Sequence, residues 1–156
     1  MALTTVLPTS SKLAFLRGEH LAGDAYKMAL VKVGHAGTYD KLVTAAGTPG
    51  TGSPTTSNLG TDEATGTGYT SGGFAMAGYA TGSDTTNNVA WIDWTTDPNW
   101  TTATISAVGA MVYNDTDAGK PVVSLHDFGG TITSTAGTFT VTLPAAAFNT
   151  AMIRFA

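Results

Sequence analysis

The chain contains no cysteine. That absence removes disulfides, thiolate zinc sites and cysteine nucleophiles together, and it suits a protein made in a reducing cytoplasm and stabilised by packing or assembly. Charge is also scarce: Lys, Arg, Asp and Glu make up 12% of the residues, about half the usual share of a soluble domain. The formal net charge is −4, and the seven Lys and Arg residues are scattered, so direct nucleic-acid binding lacks its electrostatic footprint. No stretch approaches the run of about 18 apolar residues that a membrane span requires. The N-terminus lacks the basic start and continuous apolar core of a signal peptide. These features predict an unexported protein with neither nucleic acid nor membrane as partner.

What the chain does have is threonine and glycine, 29 and 19 of them in 156 residues, within an apolar content of 42%. β-Branched Thr belongs on the wet face of a strand and Gly in the turns between strands. A chain of this length fits one domain and buries roughly 68–70% of its unfolded surface on folding. The composition predicts an all-β fold, a single antiparallel β-sandwich of jelly-roll-like form spanning residues 18–156.

Along the chain, residues 1–17 carry Leu3, Val6, Leu7, Leu13, Phe15 and Leu16, with Pro8 breaking any single element. This segment reads either as an N-terminal arm laid on a neighbouring subunit or as the domain's own first strand or short helix. The first clear strand is Tyr26 to Val33, apolar on both faces and therefore inside a sheet. Residues 34–70 turn to Gly, Thr, Ser and Pro, with Gly-Thr-Pro-Gly-Thr-Gly-Ser-Pro at 47–54. A loop of that length is functional or ordered by a partner. Strand-like runs follow at Phe74–Ala80, Val89–Trp94, Ala103–Asn114, Val122–Phe128, Thr138–Leu143 and Ala151–Phe155. In Thr138–Leu143 the alternation is clean, with Phe139, Val141 and Leu143 on one face. Ile105–Tyr113 is apolar on both faces, Ile105, Ala107, Met111 and Tyr113 against Val108, Ala110 and Val112, which predicts a central or covered strand. The turns are expected at Asn114–Pro121 and at Phe128-Gly129-Gly130. No helix of convincing length and period appears.

Little in this chain offers reactive chemistry. His20, His35 and His126 have no close-set ligand spacing. His126 and Asp127 are neighbours on a strand and so point to opposite faces, which works against a proton-transfer dyad. Asp62, Glu63, Asp115 and Asp117 could offer oxygens to calcium, but Asn114-Asp115-Thr116-Asp117 lacks the Gly and terminal Glu of an EF-hand loop, and turn capping is the simpler account. Gly66-Thr67-Gly68 is short of a dinucleotide fingerprint. Trp91, Trp94 and Trp100 with Tyr69 and Tyr79 could form a sugar-stacking platform, or could anchor the core. No nucleophile elbow or motif-borne carboxylate pair is present. The reading is of a protein with no cofactor and no enzymatic activity.

Two blocks remain: Asn58-Leu-Gly-Thr-Asp-Glu-Ala-Thr-Gly-Thr-Gly-Tyr-Thr-Ser-Gly-Gly73, and Ile105-Ser-Ala-Val-Gly-Ala-Met-Val-Tyr-Asn-Asp115. Together with Met1–Thr4, Lys27–Val31, Trp100, Thr104–Tyr113, Asp127-Phe128-Gly129 and Gly137–Val141, they stand in an order that resembles a family of small tailed-bacteriophage virion structural proteins. Asp62 stands where that pattern has Asn, and the Gly-rich stretch around residues 44–57 departs from it. The resemblance implies a virion component in many copies, a decoration or cement protein that binds the major capsid protein on the outer shell. It would be made in the bacterial cytoplasm and form a dimer or trimer. Leu3, Val6, Leu7, Tyr69 and Trp100 are the candidate interface residues. A tail or head-to-tail connection protein and a virion-surface glycan-binding module are the alternatives.

Overall fold

The computed structural model describes residues 1–156. In chain order it contains helix α1 (Thr9–Arg17) and strands β1 (Tyr26–Lys32), β2 (Phe74–Ala75), β3 (Tyr79–Asp84), β4 (Val89–Trp94), β5 (Asn99–Asn114), β6 (Val122–Thr140) and β7 (Ile153–Phe155), with one 3-10 turn at Gly60–Asp62. The strands form two antiparallel sheets, ordered β2-β1-β5-β6 and β3-β4-β7. The expected all-β sandwich is what forms. Its seven strands fall short of the eight strands and two Greek keys of a jelly roll.

The larger sheet is buried on both sides, as the two-faced apolarity of β1 and β5 requires. Tyr26, Met28, Leu30, Ile105, Ala107, Ala110 and Val112 meet Trp94 and Ile153 of the smaller sheet in the inter-sheet core. On the opposite face, Ala29, Val31, Met111, Tyr113 and Leu125 meet Tyr39, Val43, Ala46 and Leu59. Those last four belong to the 34–70 segment, which is folded down as the sheet's third layer and is ordered by its own chain. It has little regular structure, but its backbone is tied to the sheet: Ala64 N–H donates to Leu30 O (2.8 Å), Ala46 N–H to Lys120 O (2.9 Å) and Val122 N–H to Thr44 O (3.0 Å).

Register shifts separate the observed strands from a simple alternation. The β1–β5 and β5–β6 registers shift near Val31 and between Ala107 and Gly109. Ile105 and Ala107 therefore share a face with Ala110 and Val112, and Met111 and Tyr113 lie opposite. The period-2 reading, which groups Ile105 and Ala107 with Met111 and Tyr113, fails here because a bulge depends on the partner strand and not on local pattern.

The second difference is in β6. The expected turn at Phe128-Gly129-Gly130 is not a hairpin: one strand runs from Val122 to Thr140. Between the pairs Gly109–Asp127 and Ala107–Ile132, β5 advances two residues while β6 advances five, so Phe128 to Thr131 form an unpaired bulge.

Residues 1–17 lie on their own chain. Thr4 N–H donates to Tyr39 O, and Tyr39 N–H to Ala2 O; Val6 and Leu125 exchange two N–H···O bonds of 3.0 Å. Helix α1 follows Pro8 and ends at Gly18 in the left-handed region, where the Gly18 N–H donates to Phe15 O and the Glu19 N–H to Ala14 O. Ser11 Oγ donates to Val123 O (2.7 Å), pinning the helix to β6.

Candidate assembly surface

Glu63, in the middle of the block that carries the resemblance, is fully enclosed. Its Oε1 accepts from the Tyr69 hydroxyl (2.8 Å) and the Gly72 N–H (2.7 Å), and its Oε2 from the Ser71 hydroxyl (2.6 Å). The same Tyr69 oxygen accepts from the Leu30 N–H of β1 (3.0 Å). One carboxylate thus closes the 69–73 turn onto the open edge of β1. Burial and the neighbouring Glu63 carboxylate hold the Tyr69 phenol well above its ordinary pKa, so it stays a donor. The turn must lie flat against the strand: Gly73 has φ 84°, and a Cβ there would run into the Met28 carbonyl.

Asp62 does the same for a different loop. Its carboxylate accepts from Ala36 N–H, Gly37 N–H (2.7 Å) and Tyr39 Oη (2.8 Å), with Lys32 Nζ at 3.6 Å. Burial alone would raise its pKa, but the Ala36 and Gly37 amides, the Tyr39 hydroxyl and the Lys32 ammonium outweigh that and hold it below the usual carboxylate range. The adjacent acids Asp62 and Glu63 therefore clamp two loops on opposite sides of one short turn.

The remaining acids and histidines are also placed structurally. Asp115 pairs with Lys27 (2.9 Å) and with Lys120; Asp117 accepts from Gly119 N–H in its own turn. No three His, Asp or Glu side chains converge as a metal site. His126 Nε2 lies 2.9 Å from Ser124 Oγ, and burial lowers its pKa to about 4. Asp127 is exposed and accepts from Gly129 N–H. His20 is buried edge-on to Phe15 with both ring nitrogens unpartnered, and burial pushes its pKa down.

Trp94 and Trp100 both lie in the inter-sheet core. Trp94 packs edge-on against Tyr26 (5.1 Å) and Tyr79 (5.5 Å). Trp100 is buried, stacked on Tyr69 (5.7 Å, 27°) and edge-on to Phe139. Of the five candidate interface residues, Trp100 has no surface to offer another chain, and Tyr69 is committed to Trp100, Leu30 and Glu63. Leu3 and Val6 are half-buried on the loop-covered side of the sheet and Leu7 on the inter-sheet side. The structure does not bring the five into one patch.

Compared with protein-family models, curated proteins and solved structures, this chain matches none.

Two features of the accessible surface bear on assembly. Leu13 and Leu16, one turn apart on α1, are 45% and 87% exposed, and Leu21 just beyond is 54% exposed. Local spacing could have found this pair, since i and i+3 share a helix face. The other feature is the far half of β6. From Phe128 to Ile153 the chain has no charged residue, and within it Thr131, Ile132, Thr133 and Thr135 are exposed. Beside them Phe128, Ile132, Phe139 and Val141 line a shallow groove of about 280 Å³.

Proposed function

We propose that this chain is a structural component of a tailed-phage virion, a decoration or cement protein that binds the major capsid protein lattice. The observation that carries the reading is the exposed Leu13/Leu16 face of α1, on a chain whose buried acids serve its own loops. Exposed apolar side chains in contiguity mark protein contact surfaces. The ordered motif blocks, which resemble those of small virion proteins, supply the setting. Many weak contacts repeated over a lattice reinforce a shell without any single tight site, and that suits a surface rich in Thr and poor in charge.

The test is cryo-microscopy of particles assembled with the wild-type chain and with Leu16→Asp. The proposal expects density for this fold on the outer shell, lost or thinned in the variant. Density confined to the tail would overturn the capsid assignment.

A further inference from the structure

The large sheet has two long edges, and the chain closes most of both. On the β1 side, β2 pairs with Lys27 and Met28, and beyond it Ala64 N–H and the Tyr69 hydroxyl take the Leu30 carbonyl and amide. On the β6 side, Val6 exchanges two backbone bonds with Leu125, and Thr5 Oγ1 accepts from Asp127 N–H. That cover stops at Asp127. Past the bulge, Ile132, Thr133 and Ser134 pair with β5 on one side only, and Thr135 continues the strand. Every second residue there directs its N–H and C=O outward, as antiparallel geometry dictates.

The other exposed edges in the molecule are blunted. β7 has three residues, including Arg154, and β3 carries Asp84. Edge strands left without charge, proline or cover are templates for pairing. Ile132–Thr135 has no charge or proline, and its one large side chain, Ile132, is 47% exposed. A charged edge would repel its own copy, whereas this one is self-compatible: Thr and Ser opposite Thr and Ser form favourable cross-strand pairs.

We infer that the Ile132–Thr135 edge of β6 pairs antiparallel with the same edge of a second copy of this chain, about a twofold axis. The pairing extends the four-stranded sheet across a dimer. It brings the two Ile132 side chains close beside the Phe128–Val141 grooves. The bulges at Phe128–Thr131 and at Ala136, where φ is 50°, limit it to this short segment and so prevent open-ended sheet growth. The inference does not rest on the virion assignment.

The absence of native cysteine gives a test without background. Cysteines placed singly at Thr131, Thr133 and Thr135 should include at least one that forms an interchain disulfide in air, while Thr86→Cys in the exposed β3–β4 turn forms none. In sedimentation velocity over a concentration series, the wild type should show a monomer–dimer equilibrium. Ile132→Lys and Thr135→Lys, each of which brings two like charges into the paired edges, should weaken it roughly tenfold or more, with an unchanged melting temperature at concentrations where the wild type is monomeric. A wild type that stays monomeric at its highest soluble concentration overturns the inference, as does a dimer that survives both lysines. A monomer would leave the virion reading standing, and absence from virions would leave the dimer standing.

Discussion

Replacing Glu63 tests whether the Asp-Glu block holds the fold. Glu63→Ala removes the acceptor for Tyr69 Oη, Ser71 Oγ and Gly72 N–H at once. Hydrogen bonds to a charged group contribute about 1.5–3 kcal/mol each, and a donor stranded in the interior costs about 1–3 kcal/mol. Ser71 keeps a second acceptor, Pro49 O at 3.2 Å, so two donors bear most of the loss. The expected destabilisation is about 3–5 kcal/mol, within the range for breaking a buried charged network. In a domain of this size each kcal/mol moves the melting temperature by roughly 2–4 °C, so the expected drop is about 10 °C. Glu63→Gln keeps the shape and one acceptor oxygen and should lose less than half as much. Tyr69→Phe should not add fully to Glu63→Ala, because both cut the same link. Urea unfolding followed by tryptophan fluorescence measures all of these. If Glu63→Ala lies within about 0.5 kcal/mol of wild type, the range of an ordinary surface change, the clamp argument is wrong.

Three further outcomes are expected. His126 has a folded-state pKa of about 4 against an ordinary 6.5, so the unfolded state takes up its proton first. Stability should be full above pH 6.5 and fall by about 3 kcal/mol as pH drops toward 4, and the slope should flatten in His126→Gln; an unchanged slope in equilibrium unfolding against pH would refute this. Leu59→Ala, which empties a fully buried position in the loop layer, should cost about 2–5 kcal/mol by chemical denaturation, and would cost almost nothing if that layer were loosely held. Gly73→Ala should destabilise by more than 1 kcal/mol, since it combines a positive φ with contact on the Met28 carbonyl; a neutral melting curve would contradict the close packing of the turn on β1.

The sequence made some parts of this architecture legible and hid others for physical reasons. β1, β4 and the β5–β6 hairpin over Asn114–Pro121 follow from alternation and turn chemistry, which are local. The parity switch near Gly109 and the Phe128–Thr131 bulge are properties of paired strands and leave no local mark. Gly129-Gly130 signals a break equally well for a turn and for a bulge. The 34–70 segment has no period because it is neither helix nor strand; its anchors Tyr39, Val43 and Leu59 are spaced by the sheet beneath them. Asp62 and Glu63 stood out as a motif, but their partners lie on loops before and after them, so their burial could not be read from spacing. Tyr69 and Trp100 looked like interface aromatics for the same reason, since their stacking is a long-range contact. Helix α1 is too short for its period to register, though Pro8 and Gly18 mark its ends.

Quantitative mass spectrometry of purified virions, giving the copy number of this chain relative to the major capsid protein, tests the central claim most directly. The account predicts a ratio near one or another simple lattice fraction, hundreds of copies per particle; a handful of copies, or none, would contradict it.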